Sequence, residues 1–146
     1  MRLLNLIACL EYALIQTELP LQMMEIKGIA YDSRNVNKGE IFVCLKGYES
    51  DGHTHIREAA QNGAAAVLVE TLTAEGKLLD FPRGLTVLLV KDTREALAYL
   101  SAAWFRWPAR KLNVIGVTGT KGKTTVAWMI KAMLEAAGEP CGYIGT

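Results

Sequence analysis

Residues Val114 to Thr125 read Val-Ile-Gly-Val-Thr-Gly-Thr-Lys-Gly-Lys-Thr-Thr, and they restrict the fold of this chain more than any other stretch. The apolar run Leu112–Val117 has the composition of a buried strand. It gives way to a loop holding Gly119 and Gly122, and a helical pattern then runs from Val126 to residue 137, closed by Gly138 and Pro140. Strand, glycine loop and helix in that order make a cradle for phosphate. Glycines let successive backbone N–H groups curl around an anion, and the helix N-terminus behind them adds partial positive charge. In such a loop Lys123 reaches the β- and γ-phosphates, and the Thr124 hydroxyl ligates the magnesium ion that bridges them. The candidate phosphate-binding set is therefore Gly119, Thr120, Lys121, Gly122, Lys123, Thr124 and Thr125, with Lys123 and Thr124 as candidate catalytic residues and Thr124 as candidate metal ligand. The long phosphate-loop pattern is not complete, because Val117 stands five residues before Gly122 where that pattern has glycine. Glycines at 116, 119 and 122 also miss the spacing of a dinucleotide fingerprint. The plain alternative is a glycine-rich turn, against which Gly-Lys-Thr-Thr stands directly at the helix start.

The rest of the chain alternates strand and helix signals. Leu3, Leu4, Ile7, Leu10, Leu14 and Ile15 are spaced as on an amphipathic helix. Ile26–Tyr31 and Glu40–Leu45 read as strands, the first closed by Asp32-Ser33-Arg34 and the second followed by a polar loop, residues 46–54. A helix is predicted over Ile56–Asn62, stopping at Gly63, and further strands at Ala66–Val69 and Leu85–Val90. Asp92-Thr93-Arg94-Glu95 has the form of a helix N-cap, opening a helix that ends before Pro108. With Pro108–Lys111 as linker, residues 1–110 form a small α/β domain. Residues 111–146 then begin a second domain with its first βαβ unit: strand 112–117, loop, helix 126–137 and a strand near Cys141–Ile144. A segment of about 35 residues cannot bury enough surface to stand alone, so the chain is expected to be the N-terminal fragment of a longer enzyme.

Sixteen basic residues against fifteen acidic ones give no global field that would call for nucleic acid or an anionic membrane. Any anion site must therefore be local. Cys9, Cys44 and Cys141 are odd in number and contain no C-x-x-C pair, which fits a reduced, cytoplasmic protein. Leu6-Ile7-Ala8-Cys9 resembles a lipoprotein cleavage site, but too few apolar residues precede it for a signal segment. No apolar run approaches the ~20 residues of a membrane span.

Taken together, Ile-Gly-Val-Thr-Gly-Thr-Lys-Gly-Lys-Thr-Thr and the closing Gly142-Tyr143-Ile144-Gly145-Thr146 resemble the ATP loop of the Mur ligases of peptidoglycan synthesis. Asp32-Ser33-Arg34, Lys38-Gly39-Glu40-Ile41-Phe42-Val43, Lys46-Gly47, Asp51-Gly52-His53 and Gly63-Ala64 agree with the N-terminal signature of that family. The pattern is shared by the third and fourth ligases of the pathway, and the Gly-Thr-Lys-Gly-Lys-Thr-Thr loop with Ile-Gly-Thr favours the third. Lys121 is a departure, since the family usually carries asparagine there. The resemblance implies a cytoplasmic, ATP- and Mg2+-dependent amide ligase. It would add a diamino acid, diaminopimelate or lysine, to UDP-MurNAc-L-Ala-D-Glu through an acyl phosphate. It also implies that the N-terminal domain holds the UDP end of the substrate, with Ser33 as the first candidate contact and Tyr31, Tyr48, Glu49 and Ser50 as further ones.

Bland readings stand beside these. Asp32-Ser33-Arg34 by itself is a turn in which Asp caps local N–H groups. Asp51, His53 and His55 at i,i+2 spacing are turn and core residues before they are a metal site. Trp104, Phe105 and Trp107 are packing residues before they are a stacking platform. Two other functions remain open on the sequence: the fourth ligase, which adds D-Ala-D-Ala, and a nucleotide-binding module without catalysis.

Overall fold

Two sets of side chains alternate along the strands of the first unit. Ile41, Val43, Ala66, Leu68 and Leu88 point to one side, Phe42, Cys44, Val67, Val69 and Val87 to the other, and all ten are buried. Strands covered on both faces pair in parallel, because only helical or looping crossovers can cover them. The structure, a computed structural model, describes residues 1–48 and 50–145. It divides into two compact units, Met1–Pro108 and Ala109–Thr146.

The first unit carries a five-stranded sheet. In chain order its strands are β1 (Tyr12–Gln16), β2 (Ile29–Ala30), β3 (Ile41–Val43), β4 (Ala66–Val69) and, after a small separate hairpin of β5 (Thr73–Ala74) and β6 (Lys77–Leu78), β7 (Thr86–Val90). The spatial order is β1-β7-β4-β3-β2. Strands β2, β3, β4 and β7 run parallel, in register Ile29 to Ile41, Ile41 to Ala66 and Ala66 to Thr86. Only β1, on the β7 edge, is antiparallel. Helix α1 (Leu3–Leu6) and helix α3 (Thr93–Trp104) cover one face, burying Leu3, Leu6, Ala96 and Leu100. Helix α2 (Ile56–Gln61) covers the other with Ile56 and Ala59.

Several sequence expectations change on contact with the structure. The helix expected from Leu3 to Ile15 is one short turn, α1, followed by strand β1. Tyr12–Gln16 is rich in β-formers, and the open edge of β7 gives it a ladder to join, which outweighs the weak helical spacing. Leu14 and Ile15 accordingly stay exposed. The β5–β6 hairpin lies in a stretch that reads only as polar and irregular. Of the βαβ unit expected over residues 111–146, the second unit shows the loop and a helix, α4 (Lys123–Ala136). Residues 112–117 and 141–144 join no sheet, because an extended segment becomes a strand only when a partner takes its N–H and C=O groups. Within this unit Trp128 lies against Tyr143, with ring centroids 5.3 Å apart, and Lys131 lies over the Trp128 ring.

Two glycines hold positions that a side chain would spoil. Gly63, at φ +101°, ends α2 in the left-handed region. At Gly52 a Cβ would sit 2.8 Å from the backbone nitrogen of Leu45, so the two chains approach closely only because no side chain intervenes.

Leu68 is fully buried in the central strand β4, whereas Leu78 on the hairpin is 81% exposed. Leu68→Ala should cost ~2–5 kcal/mol in urea unfolding, and Leu78→Ala within about 0.5 kcal/mol of nothing.

Candidate nucleotide-binding sites

The loop of the second unit turns on its glycines. Gly119 (φ +150°) and Gly122 (φ +76°) take conformations that favour glycine. Gly122 is the N-cap of α4 in the left-handed conformation; no side chain caps that end, and the first turn holds no acid. The first helical hydrogen bond runs from the amide of Val126 to the carbonyl of Gly122, at 3.0 Å. The amides of Lys123, Thr124 and Thr125 therefore belong to the turn that has no intrahelical acceptor. The Lys123 ammonium folds back and donates to the carbonyl of Gly119 at 2.7 Å, crossing the loop mouth. Open N–H groups, a helix dipole and a lysine meet at one point, an arrangement that attracts an anion. Thr120, Lys121 and Thr125 are exposed in the same segment.

Helix α3 offers the opposite case. Its first amides are already taken: Glu70 accepts from the N–H and the hydroxyl of Thr93, at 3.0 and 2.8 Å. Asp92 accepts from the amides of Arg94 and Glu95, at 2.8 and 3.0 Å. Two carboxylates fill the place a phosphate would occupy. Of the two long helices, only α4 has an N-terminus free for an anion.

The parallel strands bring their carboxyl ends to one edge of the sheet, where α/β proteins gather ligand contacts. Those of the expected substrate residues that are described follow the ends of β2 and β3. Tyr31 follows β2 and is exposed, as are Tyr48 and Ser50 in the loop after β3. Glu49 lies outside the described residues, as does Thr146.

Ser33 sits differently from the contact expected of it. It is 7% exposed and its hydroxyl donates to Glu58 of α2 at 2.5 Å, while its carbonyl accepts from the side-chain amide of Asn62 at 2.8 Å. The hydroxyl thus ties the turn after β2 to α2. Glu58 of α2 and Asn62, the residue that caps its end, carry this anchoring, and the sequence gives no signal for either beyond their place in the expected helix 56–62. Asp32 caps the turn through the amide of Arg34, and its carboxylate also takes two hydrogen bonds from the Arg34 guanidinium, at 2.9 and 2.8 Å. The side-chain bonds from Arg34, then its amide, hold the Asp32 carboxyl down at about 2.

The two histidines part company. His53 is buried, its Nδ1 lies 2.6 Å from Asp51, and its Nε2 accepts the backbone N–H of Glu70 at 3.2 Å. A backbone amide can only donate, so Nε2 carries the lone pair and Nδ1 the proton. Both ring nitrogens are occupied by protein, which leaves none for a metal. His55 pairs with Glu58 on the surface. Burial works to raise the Asp51 carboxyl, but the amide and ring of His53 and the charge of Lys46 outweigh it and leave it lowered. Among the described residues no cluster of three or more His, Cys, Asp or Glu is placed to hold a metal ion. The Cys44 thiol beneath this edge is pushed far up, by burial first and then by Asp51 and Glu70.

The aromatic residues serve packing only in part. Trp104 lies partly buried on the core, Trp107 meets Tyr99 at 6.3 Å, and Phe105 is exposed. Among the described residues no helix is long and apolar enough to cross a membrane.

A parallel sheet with helices on both faces, joined to a glycine loop that opens a helix, defines an α/β chain carrying a phosphate-loop motif. The chain belongs to the Mur ligase family. The family model described as Mur ligase family, catalytic domain, matches residues 25–105, and the Mur ligase middle domain matches residues 117–146. Among curated relatives, the UDP-N-acetylmuramoyl-L-alanyl-D-glutamate–2,6-diaminopimelate ligase of Clostridium botulinum is 41% identical over 98% of this chain. The chain spans 28% of that relative's length. Among solved structures, MurF from Acinetobacter baumannii aligns with a TM-score of 0.66 and 30% identity, over 92% of this chain and 27% of its own. MurF from Thermotoga maritima in complex with ADP aligns with a TM-score of 0.52 and 32% identity, over 74% of this chain and 23% of its own.

The lowered Asp32 carboxyl has a pH consequence with a definite sign. A carboxyl whose folded pKa lies below its ordinary value of 3.8 stabilises the fold above that value, and the contribution fades as pH falls toward about 2. Carbon-13 NMR should find Asp32 titrating near 2, and Arg34→Ala should return it toward 3.8. An Asp32 carboxyl already titrating at 3.8 in the unmutated chain would contradict the pairing.

Proposed function

We propose that this chain contributes the N-terminal part of an ATP-dependent ligase that adds diaminopimelate to UDP-MurNAc-L-Ala-D-Glu. The observation that carries the reading is the open N-terminus of α4 behind the Gly119–Gly122 loop, with Lys123 across its mouth. The Clostridium botulinum relative, a diaminopimelate ligase by name, supports the acceptor. Residues 111–146 would hold ATP, and residues 1–110 the UDP end of the other substrate. A nucleotide-dependent reaction of this kind belongs in the cytoplasm.

Chemically, such a ligase passes the γ-phosphate of ATP to the substrate's terminal carboxylate, giving an acyl phosphate. The amine of the diamino acid attacks the acyl carbon, and phosphate leaves from the tetrahedral intermediate. Both first-step reactants are anionic, so the task of the protein is to hold them together against repulsion. Lys123 would exchange the Gly119 carbonyl for the β- and γ-phosphates, and the amides of Gly119–Thr125 would cradle them. Thr124 supplies one hydroxyl for Mg2+, which would screen carboxylate from phosphate. The Thr124 hydroxyl fits that use as a single ligand; among the described residues no group of three or more His, Cys, Asp or Glu is placed to complete a metal site. At the other end, Tyr31 and Tyr48 present exposed rings and Ser50 an exposed hydroxyl to the nucleotide. Ser33, its hydroxyl committed to Glu58, would shape the turn and offer backbone rather than its side chain.

A second reading, addition of D-Ala-D-Ala, is favoured by the structural likeness to MurF at 30% identity. The 41% identity to a diaminopimelate ligase outweighs it.

In a polypeptide joining these residues to the rest of the relatives' length, phosphate release should require ATP, UDP-MurNAc-L-Ala-D-Glu and diaminopimelate together. Release with D-Ala-D-Ala on a tripeptide substrate would establish the second reading instead, and ATP binding without turnover of either acceptor would establish a non-catalytic module. Lys123→Ala in the same polypeptide should cost ~3 kcal/mol or more of transition-state stabilisation, read as a fall in kcat/KM of about a hundredfold.

A further inference from the structure

The chain between β3 and α2 folds into a narrow hairpin at the carboxyl edge of the sheet. Lys46 pairs with Asp51, the Gly47 amide donates to the carbonyl of Ser50, and the Gly52 amide donates to that of Leu45, both at 2.9 Å. Lys46, Gly47, Tyr48 and Ser50 are exposed, so burial anchors none of these four residues. The hairpin is instead tied into a closed ring of hydrogen bonds. From Asp51 the ring passes through His53 Nδ1 and Nε2 to the backbone of Glu70, at the end of β4. The Glu70 carboxylate continues it to Thr93, the first residue of α3. Next in the chain, Arg94 reaches back and donates to the carbonyl of Lys46 at 2.6 Å, where the hairpin began.

Where such a polar chain is buried, at His53 and Thr93, it costs desolvation that an apolar filler would avoid, and its return is geometric definition. Each link joins a different element: the hairpin, β4, then α3. We infer that the ring is a positioning device, in which His53, Glu70 and Arg94 hold the hairpin so that Tyr48 and Ser50 meet the nucleotide end of the substrate. This rests on the substrate reading proposed above for the hairpin. None of the three residues touches the ligand; they act through the loop.

Arg94 is exposed, so its replacement leaves the core intact. In the full 146-residue chain, Arg94→Ala should speed hydrogen exchange at the Gly47 and Gly52 amides at least tenfold, while sheet amides such as those of Val67 and Leu68 change less than twofold. The dissociation constant for UDP-MurNAc-L-Ala-D-Glu, followed by NMR at Tyr48 and Ser50, should rise at least fivefold. Arg94→Lys, which keeps a donor for the Lys46 carbonyl, should restore both readings to within threefold of the parent. His53→Asn keeps a donor for Asp51 but loses the acceptor for the Glu70 amide, and should behave as Arg94→Ala does; if it does not fold, the Arg94 pair decides. Gly47 exchange unchanged in Arg94→Ala, or a uniform rise across the sheet, overturns the inference. Parent-chain shifts at Tyr48 and Ser50 that ignore the ligand overturn the substrate reading, and the exchange measurement then judges the hold on the loop by itself.

Discussion

Parallel pairing of β2, β3, β4 and β7 is the constraint from which the rest of the first unit follows. It requires apolar side chains on both faces, and hence helices α1 and α3 on one and α2 on the other. It also sends every carboxyl strand end to the same edge. Tyr31, the Lys46–Asp51 hairpin, Glu70 and Asp92 become neighbours there although they are far apart in sequence. An antiparallel arrangement of the same strands would have scattered them to both ends.

The two long helices show how one physical feature is turned to opposite uses. Each N-terminus exposes amides and a partial positive charge. At α3 the chain answers with its own carboxylates, Glu70 and Asp92, and so converts the helix end into a fastening point for strand and loop. At α4 the chain answers with glycines and a lysine, which leave the amides unclaimed. Overall charge near neutrality keeps anion attraction at this place instead of spreading it over the surface.

Local signals were legible in the sequence where one interaction settles them. Strand Ala66–Val69, the cap at Asp92 and the stop at Gly63 all rest on patterns contained within a few residues. The glycine loop that opens α4 was legible for the same reason, since its glycines and Gly-Lys-Thr-Thr lie in one stretch. Strand β1 was not, because its fate depends on an edge presented by β7, more than seventy residues later in the chain. The inward turn of Ser33 was equally hidden: its partner Glu58 lies on another element, and only packing of α2 against the turn brings the carboxylate within reach. The ring through His53 needed the hairpin, β4 and α3 to assemble before it could be seen. Asp51-Gly52-His53 looked like a turn, and it is one, with a second duty that distance in sequence conceals.

The three cysteines differ in a way that reaches beyond binding. Cys44 is buried with its thiol pushed far up, so the thiolate that reacts with electrophiles is scarce and shielded there. Cys9 is exposed in the first unit and Cys141 partly exposed in the second. Maleimide reagents should therefore attach two labels, not three, under native conditions, a count that mass spectrometry reads directly. One handle stands on each unit, so either unit can carry a reporter dye without any engineered substitution.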